Sequence, residues 1–175
     1  MTGSVATLKR AKGRAIDSAY IRLLLERACA NSADIAEREL ARSHLPPLAV
    51  YDALELLARK ADGEMRPLDF ERLLEIPQYS ASRLIKRLVR DGLAAQVPHR
   101  VDRRSTYVKI TPAGLIMAAR MAVPYAIALE RGIKARLSEQ EAEVLCGLLA
   151  RIGLAEQGDR PFTRVRRAPK LGKIR

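Results

Sequence analysis

Between Tyr79 and Asp91 the apolar residues Ala81, Leu84, Ile85 and Leu88 recur at helical spacing, and Gly92 follows as the residue best suited to the left-handed conformation that ends a helix. One face of this segment must therefore be core. The opposite face carries Ser82, Arg83, Lys86, Arg87 and Arg90, basic groups returning every three to four residues along roughly 20 Å of helix. Such a face fits a phosphate-lined groove.

After Gly92, residues 93–98 and 105–110 read as two short strands, the second alternating through Tyr107, Val108, Lys109 and Ile110, with HRVDRR as their connection. From Gln78 to Ile110 eight Lys/Arg oppose two acids, Asp91 and Asp102, a net +6 over 33 residues. A charged outer face on an amphipathic helix is ordinarily a solvated surface. The setting distinguishes this one: a short helix over Leu68 to Leu74, a tight connection, a glycine stop, then a hairpin with arginines at its tip. That order is how a winged helix-turn-helix sets one helix in the major groove and a hairpin over the neighbouring minor groove.

On these motifs residues 45–153 resemble the MarR-type transcriptional regulators, through LIKRLVRDGL, then DRRSTYVKITPAG, then LSEQEAEVLCGLLARI. The DxR wing signature of that family falls on Asp102 and Arg104, with Arg103 between them, and the strand running into T-x-x-G falls on Val108 to Gly114. Two departures stand out. The helix before the reading helix is entered by Arg66-Pro67 rather than a Ser/Thr cap, and both ends of the chain are longer and more basic than the family pattern.

The resemblance implies a homodimer on double-stranded DNA at a pseudo-palindromic operator. It implies a ligand-responsive repressor, its small effector a phenolic acid or an aromatic acyl-CoA held between the dimer helices and the reading head. It also puts Arg104 in the minor groove, with Asp102 holding the hairpin in shape and Arg103 on phosphate. The candidate DNA-binding set is thus Ser80, Ser82, Arg83, Lys86, Arg87, Asp102, Arg103 and Arg104. Arg22, Arg38, His44 and Tyr51 could meet an anionic effector or be ordinary surface and interface residues.

The expected fold class is mainly α with a small β wing. Residues 1–16 read as a basic flexible arm, 17–45 as a dimerisation helix capped by Asp17 or Ser18 and open to a break at Asn31-Ser32, and 46–111 as the winged domain. Within that domain Pro46-Pro47 opens a scaffold helix with Val50, Ala53, Leu54 and Leu57 inward. Arg66 to Leu68 is expected as an edge strand, and Phe70, Leu73 and Leu74 as core. Residues 112–156 supply further dimerisation helices, one running from Thr111-Pro112 towards Leu137 with an expected kink at Pro124, one opened by the capping box Ser138 to Glu141. Residues 157–175 read as a basic tail.

Composition narrows the function. With 48% hydrophobic residues the 175-residue chain folds, while seven aromatics and no Trp speak against a stacking platform for single-stranded nucleic acid. Of the +12 net charge, eleven charges sit in the first 14 and last 16 residues, so the +6 of the reading region is offset elsewhere in a nearly neutral body. Cys29 and Cys146 lack metal or redox spacing, and each sits in an apolar helical pattern that suggests burial. No signal peptide is evident, and no segment approaches eighteen uncharged apolar residues, so no membrane and a cytoplasmic location are expected. Two histidines, His44 and His99, without a phosphate loop or nucleophile elbow, speak against an enzyme, and no cofactor or metal is implied. Two other readings compete: a constitutive architectural DNA-binding protein, and a thiol-based redox regulator acting through Cys29.

Overall fold

The computed structural model describes residues 17–98 and 106–153, in two compact units divided between Arg136 and Leu137. The elements run α1 (Ser18–Arg42), α2 (Leu48–Ala58), β1 (Glu64–Met65), α3 (Pro67–Leu74), α4 (Gln78–Arg90), β2 (Ala94–Pro98), β3 (Thr106–Ile110), α5 (Pro112–Gly132), a 3-10 turn (Lys134–Arg136) and α6 (Glu139–Gly153). The fold is mainly helical with one small antiparallel sheet, in the order β1-β3-β2.

α1 is a single helix. Asp17 caps it by accepting the Tyr20 N–H at 2.7 Å, and the helix runs unbroken through Asn31-Ser32, where the Ser32 hydroxyl donates to the Cys29 carbonyl at 2.7 Å. Its C-terminal end turns through His44, whose φ of 53° places a non-glycine residue in the left-handed region.

α2 starts at Leu48, and its first free N–H is satisfied from another helix: the Glu37 carboxylate on α1 accepts the Leu48 N–H at 3.0 Å. Val50, Ala53, Leu54 and Leu57 are buried as their spacing implied. They join Leu40 of α1, Phe70 of α3, Ala81, Leu84, Ile85 and Leu88 of α4, Val108 of β3 and Met121 of α5 in one core. Each large aliphatic side chain fully buried there contributes about 1.5 to 3 kcal/mol.

Two details of the α3 region differ from expectation. The edge strand lies at Glu64–Met65, not Arg66 to Leu68, pairing Glu64 with Lys109 and Met65 with Val108. Pro67 and Leu68 belong instead to α3, whose start is stabilised by the Asp69 carboxylate accepting the Arg66 N–H at 3.2 Å. Phe70 is fully buried and Leu74 partly so, but Leu73 is 51% exposed; an eight-residue helix turns only its Phe70 side to the core.

α5 starts at Thr111, whose Oγ1 accepts the Gly114 N–H at 3.0 Å, and it continues helical past Pro124 to Gly132. By length and mean hydropathy, 1.4 over its most apolar window, Pro112–Arg136 reaches the range of a membrane span. It packs on α1 and α2 through buried Ala118, Met121 and Ala128, while Leu115, Ile116, Val123 and Ile127 are exposed. Gly132 permits the closest approach to α1, since a Cβ there would meet Ile35 Cδ1 at 2.7 Å.

In the second unit, α6 opens on the expected capping box. Glu141 accepts from the Ser138 N–H and hydroxyl, both at 2.8 Å, and Ser138 Oγ accepts the Glu141 N–H at 3.3 Å. These bonds hold the Glu141 carboxyl below its usual range.

Candidate nucleic-acid interface

α4 is the most amphipathic segment of the fold, and its termination fixes its direction. Gly92, at φ 71°, donates to the Val89 carbonyl at 3.0 Å, and Leu93 donates to the Leu88 carbonyl at 2.8 Å. This is a complete Schellman stop. The chain then reverses into β2, with Leu93 and Ala94 buried beneath the sheet.

A second lock comes from α5. The Thr111 N–H donates to the Leu93 carbonyl at 3.1 Å and the Thr111 hydroxyl donates to the Gly92 carbonyl at 2.7 Å. Gly114 lies so close beneath this turn that a Cβ would overlap the Leu93 carbonyl oxygen. The TPAG sequence thus welds the end of α4 to the start of α5.

The outer face of α4 is held as a row of cations. Arg83, Lys86 and Arg90 are exposed and Arg87 is half-buried, and together with Leu84 they line a concave surface along the helix. Asp91 engages two of them, lying 2.9 Å from Arg90 Nε and 3.6 Å from Arg87 Nε. The hydrogen bond from Arg90, with the charge of both arginines, holds the Asp91 carboxyl below its usual range. Arg83 and Lys86 have no carboxylate partner among the described residues. Arg22, Arg38, Arg42, Arg59 and Lys109 each meet an acid, whereas Arg27, Lys60, Arg72, Arg120 and Arg131 meet none among the described residues, so what sets Arg83 and Lys86 apart is their place in one row of cations on a single helix face. Two unneutralised charges therefore stand at the middle of the candidate reading helix.

The hairpin root is braced from its edge. Lys109 Nζ donates to Glu64 at 2.7 Å across the β1-β3 pair, and Arg66 Nε donates to the Tyr107 hydroxyl at 2.6 Å. β2 and β3 pair in register from Ala94 with Ile110 to Pro98 with Thr106. The wing residues Asp102, Arg103 and Arg104 lie outside the described residues. Ser80 is half-buried and Ser82 exposed on the flanks of α4. Tyr79 and Arg90, which the candidate set omits, lie on the outermost row with Arg83 and Lys86; their i, i+4, i+7, i+11 spacing was the available signal.

Comparison with known proteins now bears on this geometry. Residues 45–105 match the model of the MarR family. Over that stretch the chain is similar to the MarR family. A search of curated proteins finds no match. Similar solved structures include Sco3205, a MarR family transcriptional regulator from Streptomyces coelicolor in complex with DNA, 18% identical with a TM-score of 0.71, covering 84% of this chain and 96% of that one. A mutant MarR from E. coli complexed with operator DNA is 19% identical with a TM-score of 0.68, covering 76% and 93%. CouR from Rhodococcus jostii RHA1 bound to p-coumaroyl-CoA is 17% identical with a TM-score of 0.66, covering 79% and 95%. The winged MarR fold therefore extends over most of the chain.

Away from the outer face of α4, the residues considered for an effector do not share one environment. Arg22 and Arg38 are taken up by the exposed ion pairs with Glu26 and Asp34, and His44 forms the turn after α1. Tyr51 is buried, its ring centroid 4.7 Å from that of Tyr125 on α5; burial, then the nearby Glu55 charge, push its hydroxyl up to about 12. Both cysteines are exposed, which overturns the expectation that Cys29 is buried: the core-facing side of this part of α1 is set by α5, and Cys29 lies off it. Among the described residues no His/Cys/Asp/Glu group is placed to hold a metal.

Proposed function

We propose that the protein is a non-enzymatic, sequence-specific DNA-binding transcriptional regulator, a homodimer that represses from a pseudo-palindromic operator and is released by a small effector. The observation that carries this reading is the pair of unneutralised cations, Arg83 and Lys86, at the centre of a helix whose direction is fixed by a Schellman stop and by the Thr111 lock. Such a helix presents base-reading and phosphate-contacting side chains to a major groove. The wing residues Arg103 and Arg104 supply phosphate and minor-groove contacts, and Asp102 shapes the hairpin.

The dimeric state is supported by apolar surface that a monomer would leave in water. On α6, Val144, Leu145, Leu148, Leu149 and Ile152 are 39 to 62% exposed, and α1 and α5 expose Ile21, Leu24, Leu115, Ile116 and Val123. Faces of this kind mark interfaces. The effector class, a phenolic acid or aromatic acyl-CoA, is supported by the p-coumaroyl-CoA bound to CouR on a shared fold.

Selection of duplexes from a randomised library, followed by a thermal-shift screen of phenolic acids and acyl-CoA thioesters, tests the proposal. The expected outcome is a two-fold symmetric consensus with half-sites about one helical turn, roughly 10 bp, apart. A compound that stabilises the free protein should then release that duplex, because a ligand shifts an equilibrium only through differential affinity. Recovery of no consensus at all would refute it.

A further inference from the structure

The outward row of α4 begins one turn before its first cation. Tyr79 precedes Arg83 by four residues, Lys86 by seven and Arg90 by eleven, so the four side chains project within about 60° of arc, opposite the buried face. Tyr79 is 66% exposed, more than any other large hydrophobic side chain among the described residues. Its ring and hydroxyl have no partner among them. Nothing in the fold requires an aromatic residue there.

Whatever docks on this row meets three cations and then an uncovered aromatic ring. A polyanion satisfies the cations, but the ring needs an apolar group on the same ligand, placed beyond the phosphates. Duplex DNA offers one in its major groove, the C5-methyl of thymine. Tyr79 also lies in the first turn of α4, and the N-terminal end of a reading helix is the part that reaches base edges.

We propose that Tyr79 is a specificity-determining residue whose ring packs on the C5-methyl of one thymine in each half-site, ahead of the polar contacts of Arg83 and Lys86. The proposal rests on the DNA-binding reading above and adds to it a named base group and the side chain that senses it. The hydroxyl is secondary: it points past the methyl and is not what discriminates.

The test uses the full chain and the duplex selected by the wild-type protein from a randomised library. Each thymine of the consensus is replaced in turn by deoxyuridine, which removes only the methyl group, and binding is measured for wild type, Tyr79→Phe and Tyr79→Ala. At one thymine per half-site, the replacement should weaken wild type and Tyr79→Phe about fourfold, the burial of one methyl group. Tyr79→Ala should bind the thymine duplex more weakly and be indifferent to the replacement. Thermal midpoints of the three proteins should agree, since the side chain is exposed.

Equal sensitivity to deoxyuridine in all three proteins, or in none, overturns the proposal. So does a fall of Tyr79→Phe to the level of Tyr79→Ala, which would place the hydroxyl on a phosphate instead. If the library yields no consensus, the DNA-binding reading itself fails, a result distinct from a consensus whose thymine methyls Tyr79 ignores.

Discussion

The hydroxyl of Thr111 donates to the carbonyl of Gly92 at 2.7 Å, tying the cap of α5 to the stop of α4. The same oxygen accepts the Gly114 N–H, so one side chain serves two helix ends. The Thr111 side chain thus joins the start of α5 to the end of α4.

Thr111→Val keeps the shape of the side chain and removes both bonds. It should destabilise the protein by about 1 to 2 kcal/mol, the combined range for a lost N-cap and an unpaired carbonyl. Gly114→Ala should cost at least as much, because its Cβ would overlap backbone rather than a movable side chain. Urea unfolding of both variants checks the order; a neutral Gly114→Ala would contradict the close contact at Leu93.

Asp52 on α2 is half-buried, and burial, then the Glu37 and Glu55 carboxylates, push it up to about 6 from the usual 3.8. A carboxyl whose folded pKa is raised favours the protonated fold, so its ionisation erodes stability as pH climbs from about 4 through about 6 and adds no further loss above that. Asp52→Asn removes the ionisation. The variant should gain about 1 kcal/mol over wild type at pH 7.5, after allowing for solvent screening of a half-exposed group, and lose that advantage near pH 4. Thermal midpoints across this range measure the difference; a gain that grew towards low pH would contradict the assignment.

How far the sequence led can be seen residue by residue. The core face of α4 and its glycine stop were legible because both follow from local periodicity and backbone conformation. The Ser138 box and the Thr111 cap were legible for the same reason. β1 was displaced because strand position is set by its partner: Glu64 pairs opposite Lys109, and nothing within residues 60–68 encodes that register. The Glu37 cap of α2 reaches across eleven residues and two helices, and no local pattern announces it. Leu73 and Cys29 were assigned to the core from apolar spacing, whereas the neighbouring helix decides which side of α3 or α1 is covered. Tyr79 is absent from the candidate set, although its spacing to Arg83 places it on the outer row.

Leu148 lies in the exposed apolar stripe of α6. If that stripe is the surface a second copy covers, Leu148→Asp buries an unpaired charge at the interface and should convert a dimer to monomer at micromolar concentration. Secondary structure should be unchanged, since the side chain is 46% exposed in the single chain. Sedimentation velocity reads the outcome, and operator affinity should fall with the dimer. A variant that remains dimeric would remove α6 from the interface.

In the proposed function α4 reads bases and the wing reads groove shape. The most direct test of this division compares wild type, Arg83→Ala and Arg104→Ala over one randomised operator library at fixed salt. Arg83→Ala should lose about 1 to 3 kcal/mol on the consensus and relax preference at one position in each half-site. Arg104→Ala should weaken binding comparably while altering preference only among A·T-rich flanks, where minor-groove width varies. An unchanged preference profile in both variants would contradict the account.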